Sequence, residues 1–184
     1  MALLSSPELL DRVAQRLDRR PAATTAALIL LSVVGALVPA LAVYLGTRYL
    51  TTAWDFELGY TPVSEGRIDP FRATLFGLLL APWLIAGVTT LVAPLYDRPR
   101  QPRAAFAAAV FGTIPLYAAC SFMFFMPAIL LVALAFLISC NWWGAAEQRL
   151  LGIDAGRSAE LTAVSLLGAS VALQFLGGWL AAYF

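Results

Sequence analysis

Side chains able to do chemistry are scarce in this sequence, and their types narrow the options quickly. There are two cysteines, Cys120 and Cys140, and no histidine in 184 residues. Two thiolates without imidazole partners fall short of the usual four-ligand zinc site or iron–sulfur cluster. Without histidine the common general base at neutral pH is also missing. A disulfide is the remaining pair chemistry. Cys120 falls near the outer end of one apolar stretch, and Cys140 lies well inward along the next. The two depths differ by roughly 10 Å at about 1.5 Å of helix rise per residue. A disulfide tolerates Cα atoms only within about 7 Å, so both cysteines are expected as buried small apolar residues. No nucleophile stands beside a base that would activate it. The expectation is a protein with no catalytic residues, no metal site and no cofactor, hence not an enzyme.

The elements that would position any site are membrane spans. The chain is 61% hydrophobic and only 12% charged, with a mean hydropathy of +0.81. Soluble domains carry about twice that charge. Uncharged apolar stretches long enough to cross a bilayer run over residues 22–46, 74–96, 104–124, 127–146 and 161–184. The expected fold class is therefore an all-α membrane protein with five transmembrane helices. Residues 1–21 precede it as a short cytoplasmic amphipathic helix, and 22–184 form one five-span domain with an external loop over 47–73. No acid or arginine falls near the middle of a span, which argues against an ion or proton pathway. Gln174 is the strongest polar group at depth, and a hydrogen bond to a neighbouring span is its expected role. Thr89, Thr90, Thr113, Ser139 and Ser170 are expected to bond their own helix backbone.

Arginine placement sets the orientation. All twelve basic residues are arginine, which with the abundant alanine points to a GC-rich bacterial genome. Arg12, Arg16, Arg19 and Arg20 precede the first span, Arg98, Arg100 and Arg103 follow the second, and Arg149 and Arg157 follow the fourth. The opposite side holds only Arg48, Arg67 and Arg72, in a longer loop. By the positive-inside rule the N-terminus is cytoplasmic and the C-terminus periplasmic or external, in a bacterial inner membrane. "MALLSSPELLDRVAQRLDRRP" reads as a helix and not a cleaved signal, since its charges follow its few leucines. Ser6 can cap it, with Pro7 at its first position. Leu10, Val13, Ala14 and Leu17 line one face, and Arg12, Arg16 and Arg19 take the other, near anionic lipid headgroups. A pI near 7.8 gives no sign of a nucleic-acid partner.

Contact surfaces are read from the same pattern. "DRPRQPR" is a basic bend stiffened by Pro99 and Pro102, and Arg98, Arg100 and Arg103 are candidate contacts for a partner subunit or lipid. Asp97 and Glu147 are the acids expected near that bend. In the external loop, Trp54 is a candidate contact or interface anchor. Ala104, Ala108 and Gly112 recur every four residues, a stripe that lets helices approach closely, and Pro115 is expected to bend the same helix.

Three segments carry a family resemblance. "RLDRRPAAT" sets basic residues and a proline before the first span. "PRAAFAAAVFGTIP" leads a basic loop into a small-residue helix ending in a Thr-x-Pro step. "EQRLLGIDAGRSAE" leads from the fourth span into the last. In this order the chain resembles the bacterial branch of the Yip family, five-span proteins named for interaction with Ypt/Rab GTPases, over about residues 15–184. The resemblance implies five spans, an inside N-terminus and a non-enzymatic role in membrane organisation or protein partnership. Eukaryotic members have a long cytosolic region where about twenty residues stand here, so Rab binding is not carried over. The functional expectation is an accessory or scaffold subunit of a larger membrane complex, with an energy-converting complex as one candidate, whose partners are membrane lipids and other integral membrane subunits. The alternative is a small transporter or channel for lipid or an uncharged solute, with Pro82, Pro115 and Gln174 at a cavity.

Overall fold

The computed structural model describes residues 7–49, 70–122 and 129–183, with side chains described over 8–46, 74–122 and 131–176. Trp54, most of the external loop, and the turn between the third and fourth predicted spans lie outside the described residues. Among the described residues six α-helices follow one another: α1 (Pro7–Arg19), α2 (Pro21–Tyr49), α3 (Pro70–Val92), α4 (Pro102–Ser121), α5 (Ile129–Leu150) and α6 (Ala155–Tyr183). Among the described residues there is no strand. Four described stretches are long and apolar enough to cross a membrane: Pro21–Gly46, Thr74–Tyr96, Pro102–Ser121 and Ala155–Leu176. Over its described residues the chain is all-helical, and it is a multi-pass membrane protein.

Proline opens most of these helices. It stands at the first residue of α1, α2, α3 and α4, where its missing N–H costs nothing and its fixed φ suits the first turn. Glu8 near the start of α1 and Arg16 and Arg19 near its end match the helix dipole. After α3 the backbone tightens into a 3-10 turn over Ala93–Tyr96, ended by Asp97 in the left-handed region at φ 58°. Gly152 ends α5 in the same region at φ 65°, which glycine enters without a Cβ penalty.

The helices outrun the predicted spans at their charged ends. The fourth predicted span stops at residue 146, yet α5 runs to Leu150; the last begins at 161, yet α6 starts at Ala155. Charge bounded the apolar stretches, whereas the backbone ladder continues until a turn breaks it. Here the turn is Gly152, and α6 takes up the ladder at once, with the Ser158 N–H bonded to the Asp154 carbonyl at 2.8 Å.

Helix α4 is the hub, packed against α2, α3 and α5. Of its span 72% is buried, against 22–33% for the other three. Contacts of α6 with α3 and α5 close a four-helix circuit, α2 lies along α3 and α4, and α1 crosses α2, α4 and α5. Small residues are why α4 fits at the centre. Ala105, Ala107, Ala108, Ala109 and Gly112 are buried and Ala104 is half-buried. A Cβ at Gly112 would overlap the indole of Trp143, which lies directly on that glycine. The indole N–H donates to the Ala109 carbonyl at 2.9 Å, so the close approach also satisfies the polar atom of the buried Trp143 side chain.

Three prolines sit inside spanning helices: Pro39 in α2, Pro82 in α3 and Pro115 in α4. Each leaves the carbonyl four residues earlier without its helical donor. For Pro82 that carbonyl belongs to Leu78, and the Tyr117 hydroxyl donates to it at 3.3 Å. Since that bond uses the phenolic proton, Ser32 is the donor in the 3.4 Å contact between the two hydroxyls. The Tyr117 ring rests on Gly35, where a side chain would overlap it. One residue of α4 thereby ties α2 and α3 together.

Candidate functional site at the arginine-rich end

The parts of the chain that carry most of its arginines come together. Asp11 of α1 pairs with Arg149 of α5 at 3.8 Å, and Asp97, after the 3-10 turn, pairs with Arg157 of α6 at 3.4 Å. Both pairs are solvent-exposed and worth at most about 1 kcal/mol each. Their value is geometric, since they place α1, the basic bend and the α5–α6 connection at one end of the bundle. A small apolar cluster of Leu151, Ile153 and Leu161, with Val92, Tyr96 and Ala104 against it, fixes the two connections together.

The basic bend splits. Arg98 is half-buried, its guanidinium over Gly152: a Cβ built there would lie 3.5 Å from Nη1. Arg100 and Arg103 are exposed. Arg12 and Arg16 project from the exposed side of α1, and Arg12 stands 4.0 Å from Glu8. Of the acids expected near the bend at the same membrane face, Asp97 lies in the bend itself, and Glu147 lies at the same end of the bundle, turned toward α6.

Glu147 lies in the last turns of α5, just beyond the predicted end of its span, and is only 2% exposed. It turns toward α6, where the Thr162 hydroxyl donates to Oε2 at 2.6 Å. Gly144, one turn earlier, faces the same seam: a Cβ there would make ordinary contact with Ser158 Oγ and Thr162 Oγ1 at 3.6 and 3.9 Å. Gln148 reaches the same face and donates to Ser158 Oγ at 3.0 Å. Burial pushes the Glu147 carboxyl up to about 7, the Thr162 bond opposing the rise. Its charge is thus set by pH near neutrality. Such a carboxyl can take up or release a proton. Among the described residues no three metal-ligating side chains come together.

A second seam joins α3 to α6. Thr89 was expected to bond its own backbone; instead its hydroxyl donates to Ser165 Oγ at 2.9 Å, and both are buried. Thr90 and Thr113 do bond their own helices, to Ala86 and Ala109 carbonyls at 2.7 and 2.6 Å. Ser139 is buried without a hydrogen-bond partner.

Gln174 needs the clearest correction. It was expected to bond a neighbouring span, yet it is exposed on the outward face of α6, with Leu167, Val171 and Phe175 around it. Among the described residues it has no hydrogen-bond partner. Helix rotation decides this: Ser165 and Ala169 face inward, and positions five beyond them point away. Sequence reasoning named no partner for Tyr117 or for Glu147, and it read Trp143 as an interface residue where the structure buries it on Gly112. The signals were a tyrosine and a tryptophan within spans and an acid followed fifteen residues later by threonine, none of which names its partner without the fold. No protein-family model, curated protein or solved structure matches the chain.

Proposed function

We propose that this protein is a non-enzymatic accessory or scaffold subunit of a larger complex in the bacterial inner membrane. In this reading α5 is the fifth span, the arginine-rich end is cytoplasmic, and α1 is an amphipathic helix lying in the headgroup plane. The resemblance to the Yip family supports the same architecture.

Gln174 carries the proposal. It lies nine residues outward of Ser165, about 14 Å along the helix, and so well within the ~30 Å hydrocarbon core. An amide exposed to hydrocarbon without a hydrogen bond costs several kcal/mol. A transmembrane helix of another subunit, laid on the Ser170–Gln174 face of α6, removes that cost with an interhelical hydrogen bond. The transporter alternative placed Gln174 at a cavity, and its outward position favours the packing reading.

Blue-native electrophoresis of the native membrane extracted in mild detergent tests it. Wild-type protein should migrate in an assembly well above its 19.8 kDa mass, and Gln174→Leu should shift it toward the free subunit. Migration of wild-type protein as a monomer with nothing co-purifying overturns the reading.

A further inference from the structure

The first half of α6 carries hydroxyls at three successive inward positions. Ser158, Thr162 and Ser165 follow one another at helical spacing, and all three are buried. Each is bonded to a side chain of a neighbouring helix: Ser158 to Gln148, Thr162 to Glu147 and Ser165 to Thr89. The first two partners stand on α5 and the third on α3. Hydrogen bonds of this kind can be replaced by bonds to water. On the α5 side of the seam, Gly144 and Gln148 are only half-buried.

The acid in this seam has no countercharge. Among the described residues the Thr162 hydroxyl is the one hydrogen-bond partner of Glu147. Charged groups on the elements packed against α5 are exposed or engaged elsewhere. From α1, Asp11 pairs with Arg149 of α5 itself, and Glu8, Arg12, Arg16, Asp18 and Arg19 are exposed. From α6, Arg157 pairs with Asp97 and Glu160 is exposed, as are Asp154 before it and Arg103 at the start of α4. Arg98 lies over Gly152, and Tyr96 packs on the apolar cluster of the two connections. Cys140 stands seven residues earlier on α5, and Tyr117 and Cys120 stand in the last turns of α4. A neutral Glu147 therefore suits the closed seam, whereas an ionised one is short of solvation.

We propose that this seam is a pH-sensitive latch: protonated Glu147 keeps the first turns of α6 closed on α5, and loss of its proton to water opens them to hydration. Opening stops at Ser165, whose bond to Thr89 ties α6 to α3, and Gly168 rests close on Val88 just beyond. The latch uses neither the Gln174 face nor a partner, so it stands or falls separately from the subunit reading. Its sign follows from linkage. The closed seam holds the proton more tightly than the open one, so closure weakens as pH rises from 4.5, the ordinary carboxyl value, through about 7. Between pH 6 and pH 8 the opening equilibrium rises about tenfold.

Hydrogen–deuterium exchange of the full chain in detergent tests it, with the intrinsic exchange rate divided out at each pH. Protection of the amides in 145–150 and 158–164 should fall about tenfold from pH 6 to pH 8. It should also lie well below the protection of α4, the mark of a local opening. Glu147→Gln should remove the pH slope and leave the seam protected at pH 8. In case that variant does not fold, Glu147→Ala serves the same purpose, since Thr162 can then bond its own helix backbone and no carboxyl remains to titrate. A flat wild-type profile, or the same slope without the carboxyl, overturns the latch. Protection of the seam equal to that of α4 shows that these amides exchange only by global unfolding, and overturns it as well.

Discussion

The Tyr117 hydroxyl of α4 donates to the Leu78 carbonyl of α3 at 3.3 Å, and that carbonyl is free because residue 82 is proline. A helix break in one span is thus repaired by a side chain from another. Removing the hydroxyl in Tyr117→Phe strands a half-buried carbonyl and should cost about 1 kcal/mol, read as a lower Tm in detergent. In a Pro82→Ala background the new N–H takes over Leu78, and Tyr117→Phe should cost much less. Equal losses in both backgrounds would show that the bond contributes nothing.

Contact between Gly112 and Trp143 gives a second test. A methyl at residue 112 would overlap the indole, and that ring is held in place by its bond to Ala109. Gly112→Ala should destabilise by about 1–3 kcal/mol through overpacking. Gly87→Ala is the control, since a Cβ there meets nothing within 4 Å, and it should change stability by less than about 0.5 kcal/mol. Equal Tm values for the two variants would remove the steric account.

The Glu147 carboxyl makes stability depend on pH. Its folded pKa is raised from 4.5 to about 7, so in that window the folded state binds more protons than the unfolded one. Stability therefore falls as pH rises from about 4.5 to about 7 and levels off above, with a total change of ~3 kcal/mol. Glu147→Gln keeps an acceptor for Thr162 and carries no charge. Thermal melts from pH 5 to 8 should slope downward for wild type and lie flat in this window for the variant, which becomes the more stable protein at pH 8.

What could be read from the sequence was whatever depends on local pattern. Uncharged length located the helices, and the four-residue spacing of Ala104, Ala108 and Gly112 marked the helix that packs most tightly. Pro82 announced a missing N–H, but not that Tyr117, far along the chain, would answer it. Rotation about a helix axis was illegible for α6: its hydrophobic residues are distributed all round, so nothing in its pattern says that Ser165 faces inward and Gln174 outward. The burial of Glu147 was illegible for a related reason. An acid at the end of a span reads as solvated, and only the packing of α5 on α6 brings Thr162 to it.

The basic bend separates orientation from docking. Arg98 lies over Gly152, whereas Arg100 and Arg103 are exposed and have no ion-pair partner among the described residues. Changing the exposed pair, Arg100→Gln with Arg103→Gln, removes no internal contact and should leave stability within about 0.5 kcal/mol of wild type. Orientation should also hold, because Arg98, Arg149, Arg157 and the arginines of α1 still outnumber those on the opposite side. Cysteine-accessibility labelling of the termini checks that point. With fold and orientation intact, a weakened assembly on a blue-native gel assigns the bend to a partner subunit. An assembly that survives leaves the bend as a topology determinant and headgroup contact, and the docking role is lost.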